Sequence, residues 1–260
     1  MANSQPQRAA IVTGGASGIG LATVERLIAA GWRVTALDRD AAALAKLRAA
    51  HGDTVRTGVL DVTDEAAADA AVKESAQAFG RIDGLVNSAG IGLDKPALDT
   101  SVAEFRTVLD VNVTGTFIVA RAAARIMRQQ KRTLQDSCAI VNLASIAGMR
   151  GSKGRVAYGA SKGAVINLTQ VMAVDLARDG IRVNAVAPGP VDTPLVQAVH
   201  TPAVRRAYAH HTPMRRYAAP DEVAAAILFL LDSAQSSYVT GTILPVDGGF
   251  SGAGMMEIEV

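Results

Sequence analysis

The chain has 260 residues, 49% of them hydrophobic and 19% charged, with a formal net charge of +2. That is ample material for a buried core, and the near balance of charge, with only the short pairs Arg205-Arg206 and Arg215-Arg216, excludes a basic face for nucleic acid or a membrane surface. A single cysteine, Cys138, excludes an intrachain disulfide, and the lack of Pro-rich, Gln-rich or single-sign tracts leaves little room for disorder.

Short β-rich runs occur at 9–13, 33–37, 55–60, 82–86, 138–143, 181–186 and 242–246. Between them lie Ala-rich stretches of helical period near 18–30, 40–50, 64–79, 102–130, 156–179 and 220–232. This alternation predicts an α/β fold: a single Rossmann-type, doubly wound domain over 1–260, with a seven-stranded parallel sheet covered by helices on both faces. One connection breaks the short-loop rule. The segment 189–219, rich in Pro, Thr, His and Arg, is expected to be a substrate lid. The longest apolar run, Val223 to Leu231, is too short to cross a bilayer, and the N-terminus lacks a signal peptide's charged start and apolar stretch. A soluble, cytoplasmic protein is expected.

The first strand runs straight into Thr13-Gly-Gly-Ala-Ser-Gly-Ile-Gly20. A strand, a glycine-rich turn and a helix start form the context that a pyrophosphate needs. Glycines let the backbone approach the anion, and the helix start presents free N–H groups and a positive dipole end. Asp38 ends the second strand, where a carboxylate can accept hydrogen bonds from both hydroxyls of an adenosine ribose and repels a 2′-phosphate. Asp38 therefore predicts NAD over NADP. Arg39 pulls the other way, since it could pair with a 2′-phosphate.

The spacing T-G-x-x-x-G-I-G at Thr13, Gly14, Gly18, Ile19 and Gly20 resembles the short-chain dehydrogenase/reductase family, and the resemblance recurs along nearly the whole chain. Asp61-Val62 stands where the family places its adenine contact. Asn87-Ser88-Ala89-Gly90 matches the family's N-N-A-G except at Ser88. Asn112, Ser145, Tyr158 and Lys162 match its catalytic tetrad, and Pro188-Gly189 with Val191 and Thr193 matches its nicotinamide-side turn. The resemblance implies an oxidoreductase of CH–OH groups, with Gly14, Ser17, Gly18, Ile19, Gly20, Asp38, Asp61, Val62, Asn87, Ala89, Gly90, Pro188, Gly189, Val191 and Thr193 on the cofactor together with Tyr158 and Lys162. Ser17 is not the basic residue that NADP-using relatives often carry in this turn.

Tyr158 and Lys162 lie at i and i+4, adjacent on one helix face. An ammonium there favours phenolate, so Tyr158 is expected to take a hydroxyl proton as hydride leaves. Ser145 is expected to hold the substrate oxygen beside it. Asn112 interrupts an otherwise apolar helix, and the resemblance implies a kink holding a water that links Lys162 to solvent, with Lys162 also gripping the nicotinamide ribose. His51, His200, His210 and His211 show no metal-ligand spacing, so no metal is expected. The turn after Gly90, the loop after Ser145 and the lid are expected to face a small-molecule substrate. A secondary alcohol such as a polyol, sugar or hydroxy acid is the expected class. A 3-oxoacyl-type carbonyl reductase and a non-catalytic NAD-binding sensor are the alternatives. The resemblance also implies a homotetramer, with the apolar tail after Gly249 packed on a neighbouring subunit.

Overall fold

The computed structural model describes residues 7–130 and 136–254. Seven parallel strands pair in the order β3-β2-β1-β4-β5-β6-β7. They are β1 (Ala9–Thr13), β2 (Arg33–Asp38), β3 (Val55–Val59), β4 (Gly84–Asn87), β5 (Cys138–Leu143), β6 (Ile181–Pro188) and β7 (Ile243–Val246). Every predicted strand is present, each end within two residues of its expected place.

The strands read as continuous apolar runs because both faces are covered. Alternate residues supply two cores. Ala10, Val12, Ala139 and Val141 face one helical layer, formed by α1 (Gly18–Ala29), α2 (Ala41–His51) and α9 (Pro220–Leu231). Ile11, Leu85, Cys138 and Ile140 face the other, formed by α3 (Glu65–Phe79), α5 (Thr116–Met127) and α6 (Val156–Leu176). Ile11, Leu85 and Ile140 are fully buried, each side chain contributing about 2–3 kcal/mol. The buried Arg182 of β6 donates to the carbonyls of Leu230 and Leu231 at 2.8 and 3.2 Å, satisfying acceptors that the end of α9 leaves open.

The long apolar helix expected over 102–130 is α4 (Val102–Leu109) and α5 joined by six residues of π-helix, Asp110–Gly115. Asn112 lies in that segment, so the expected irregularity is a π-bulge, the wider turn that helices adopt at functional positions. The connection 189–219 also carries helices, α7 (Pro194–Val199) and α8 (Pro202–His211). Each starts with a threonine cap followed by proline at the first helical position, Thr193-Pro194 and Thr201-Pro202. The expectation that Met255, Met256 and Ile258 pack on a neighbour lies outside the described residues.

Candidate active site

The strands all run the same way, so their carboxyl ends line one edge, and β1 and β4 lie side by side there. The chain after β1 turns tightly at Gly14 (φ +64°), where a Cβ would come within 2.8 Å of the Ala89 backbone nitrogen. Glycine is needed there on both counts. The Ala89 N–H in turn donates to the Thr13 hydroxyl at 3.2 Å, tying the turns after β1 and β4 together. Ser17 is exposed and extended at the start of α1 and provides no side-chain cap. The first-turn N–H groups around Gly18, Ile19 and Gly20 therefore have no helical partner and suit a pyrophosphate.

Asp38 spans this turn. Its carboxylate accepts from the Ala16 and Asp40 N–H groups, both at 3.1 Å, which leaves it at the tip of β2 beside the cleft. Asp61 accepts from the N–H and hydroxyl of Thr63 at 2.9 and 2.7 Å. Those two bonds hold its carboxyl below the ordinary range, with a smaller contribution from the Arg39 charge. Arg39 thus sits within the field of Asp61 as well as next to Asp38. Val62 is buried against Gly115. Past β6, Gly189 packs on the Asp247 backbone, and Val191 pairs with Ala218. Thr193 reaches back across the cleft, its methyl 3.4 Å from the position a Cβ on Gly18 would take. An uncapped helix start, a ribose-type carboxylate and this facing turn fit a nicotinamide dinucleotide.

Asn87 is buried and donates to Asn142 Oδ1 at 2.9 Å, while Asn142 donates to Thr169 at 3.0 Å. This polar ladder ties β4 to β5 and to α6. Nothing in the sequence pairs Asn87 with Asn142; only the β4/β5 register does.

Ser145 follows β5 and is nearly buried, its Oγ accepting from the Ala147 N–H at 3.1 Å. The loop beyond it lies directly on α6. A Cβ on Gly148 would fall 2.5 Å from the Lys162 carbonyl carbon, and one on Gly159 would fall 2.9 Å from the Ala147 oxygen. These backbone contacts set Ser145 against Tyr158. Asn112, buried, accepts from the Ile91 N–H at 2.8 Å and donates to the Ile91 carbonyl at 2.9 Å and to Ser161 at 3.0 Å. Its side chain binds the turn after Gly90 to α6, and its carbonyl accepts from Thr116. Asn112 thus ties the turn after Gly90 to α6, and its Oδ1 and Lys162 Nζ both lie within 4 Å of where a Cβ on Gly90 would be.

Lys162 Nζ lies 5.7 Å from the Tyr158 ring centre and donates to the Leu143 carbonyl at 2.7 Å. Burial pushes this amine down to about 8. Burial also pushes the Tyr158 phenol up, opposed by the Ser145 hydroxyl and the Arg155 guanidinium, while Tyr208 and Asp94 push it further up. The expected lowering of the phenol by its i+4 ammonium is therefore outweighed by desolvation. Charged Lys162 is itself costly in this position, and the cation acting on Tyr158 is Arg155. Arg155 lies in the loop after Ser145 that the sequence expects to face the substrate, and nothing in the sequence singles out Tyr208 or Asp94. Among the described residues, no group of three His, Cys, Asp or Glu side chains could hold a metal.

The family model described as enoyl-(acyl carrier protein) reductase matches residues 14–251. Levodione reductase of Leifsonia aquatica is 39% identical over 95% of each chain. Galactitol 2-dehydrogenase (L-tagatose-forming) of Cereibacter sphaeroides is 43% identical over 93% of this chain and 94% of its own. The crystal structure of 3-ketoacyl-(acyl-carrier-protein) reductase from Brucella melitensis complexed with NADH superposes with a TM-score of 0.87, at 33% identity over 94% of this chain and 98% of that one.

The buried Lys162 generates a prediction. Its folded pKa of about 8 lies below the ordinary 10.5, so between these values the unfolded chain binds more protons and stability rises with pH. Lys162→Met is expected to stabilise the cofactor-free protein by about 1–3 kcal/mol at pH 7, with the gain shrinking as pH rises above 8. Thermal melts of both proteins across pH 6.5–10 check this.

Proposed function

The chain belongs to the short-chain dehydrogenase/reductase family, and from that premise we propose that it is an NAD-dependent oxidoreductase of secondary alcohols with Tyr158 as acid/base. It acts on CH–OH groups with a nicotinamide cofactor, and relatives named galactitol 2-dehydrogenase and levodione reductase support that chemistry. The observation that carries the reading is the convergence of Ser145, Tyr158 and Lys162 at the strand edge where Gly18 and Thr193 face each other.

A bound nicotinamide supplies the hydride acceptor. Ser145 holds the carbinol oxygen, and Tyr158 Oη takes its proton as the C–H bond breaks. Arg155 opposes the cost of forming phenolate in so dry a setting. Lys162, with a pKa near working pH, can pass that proton on. The long connection acts as a lid over 189–219 on a single domain, and its histidines serve the substrate rather than a metal. Run in reverse, the same groups reduce a ketone. A 3-oxoacyl-type reductase is the second reading, favoured by a structural relative of that name solved with NADH.

Cofactor choice rests on Asp38. Its carboxylate stands at the tip of β2 where a ribose would meet it, and Asp61 competes with any 2′-phosphate for Arg39. Asp38→Ala is expected to lower the NAD⁺/NADP⁺ ratio of kcat/KM by at least about tenfold, measured by reduced-cofactor absorbance. An unchanged ratio would remove the argument.

Among the described residues no helix is long and apolar enough to cross a membrane, and we place the protein in the cytoplasm with no nucleic-acid or membrane partner. Val102, Phe117, Val171 and Val174 expose apolar surface on α4, α5 and α6, Val174 to 79%. Surface of this kind suits burial against other copies of the chain, and we assign it to a homotetramer. Light scattering should return about four times the 26.8 kDa of one chain; a monomer would contradict this.

A further inference from the structure

Three segments that border the substrate side of Tyr158 meet at one guanidinium. Arg155 immediately precedes α6, with its side chain only 17% exposed. Its Nε forms an ion pair with Asp94 Oδ1 at 2.7 Å, in the turn after Gly90. Its Nη2 meets His200 Nε2 at 3.3 Å, in the long connection. Its Cζ stands 5.5 Å from the Tyr158 ring centre. The Lys95 N–H bonds the Gly154 carbonyl at 2.8 Å, so the segment carrying Asp94 is strapped to the one carrying Arg155.

His200 is fixed just as firmly. Arginine can only donate, so Nε2 accepts, and Nδ1–H donates to the Tyr217 hydroxyl at 3.0 Å. Tyr208 stacks on the same imidazole with ring centres 5.1 Å apart and planes within 4°. The guanidinium is thereby held at two nitrogens. The third, Nη1, lies 3.7 Å from where a Cβ on Gly92 would be. It has no hydrogen-bond partner among the described residues, and it is not sealed off from solvent.

Resting on the alcohol-oxidation reading, we propose that Arg155 is a specificity-determining residue whose Nη1 receives a second, uncharged oxygen of the substrate. The preferred substrates are then diols, polyols and hydroxyketones rather than monohydric alcohols. The charge balance selects the uncharged class. Asp94 already pairs with Arg155, and Arg205 is bound to Asp192 at 3.0 Å. A carboxylate at Nη1 would lose its hydration and meet the Asp94 charge, whereas a hydroxyl or carbonyl needs only the one donor that remains. A monohydric alcohol covers that donor without bonding it, which is how a polar site rejects an analogue lacking the oxygen.

The test measures kcat/KM with NAD⁺ for cyclohexanol, for the 1,2-, 1,3- and 1,4-cyclohexanediols and for 4-hydroxycyclohexanecarboxylate, in the native protein, Arg155→Met and Arg155→Lys. At least one diol should exceed cyclohexanol by about tenfold or more in the native protein. Arg155→Met should lower the rate on every alcohol, because Tyr158 loses its cation, and should cost that diol about ten- to a hundredfold more than it costs cyclohexanol. Arg155→Lys keeps a cation near Tyr158 but removes the fork, so it should restore rate on cyclohexanol without restoring the diol preference. It carries the same comparison if the methionine variant does not fold. Equal loss on all alcohols would mean that Arg155 acts only through Tyr158 or the fold, and would overturn the assignment. An Arg155-dependent preference for the carboxylate would overturn the uncharged class. A native protein active on alcohols with no diol preference refutes this inference alone; one inert on every alcohol with NAD⁺ and NADP⁺ refutes the dehydrogenase reading together with it.

Discussion

The pairing of β1 with both β2 and β4, all parallel, is the constraint on which the site depends. Parallel pairing brings every strand's carboxyl end to one edge. The order β3-β2-β1-β4-β5-β6-β7 sends the connections after β1 and β4 to opposite faces of the sheet, so they part at that edge and leave a crevice. Gly14 lets the two turns touch, and Thr13 bonds them. The glycine-rich turn, Asp38, Ser145 and the turn after Pro188 then share one edge although Thr13 and Pro188 are 175 positions apart along the chain. Lengthening either turn would separate the cofactor side from the proton-transfer side.

Within that edge the chemistry is positioned by backbone contact rather than by side-chain reach. Gly148 and Gly159 let the Ser145 loop lie on the α6 backbone, and Asn112 staples Ile91 to the same helix. The cost is electrostatic. A phenol and an amine are kept in a setting dry enough to push both away from their charged forms. The fold alone leaves this site under-stabilised, as expected where stability gives way to function.

Much of this was legible along the chain. Apolar runs bounded by turns located all seven strands, because both faces of a parallel sheet are buried and the runs need no alternation. The Thr13 to Gly20 turn, Asp38 and the Tyr158/Lys162 pair were legible because each acts within a few residues of sequence. The helices α7 and α8 were present in the sequence as Thr193-Pro194 and Thr201-Pro202, a cap-and-proline signal hidden inside a stretch that composition alone marks as loop. What was not legible is long-range. Asn87 bonds Asn142 because β4 and β5 pair in one particular register. Arg155 meets Asp94 and His200 only once three connections have folded over one edge.

The central claim is that Tyr158 moves the proton as hydride leaves the carbinol carbon. A single-turnover experiment with a secondary alcohol deuterated at that carbon tests it, following deuterium into the reduced cofactor in the native protein and in Tyr158→Phe. The native protein should transfer deuterium, and Tyr158→Phe should bind NADH with nearly unchanged affinity while transfer falls by about a hundredfold or more. Transfer at the native rate by Tyr158→Phe, or loss of NADH binding in step with it, would contradict the account.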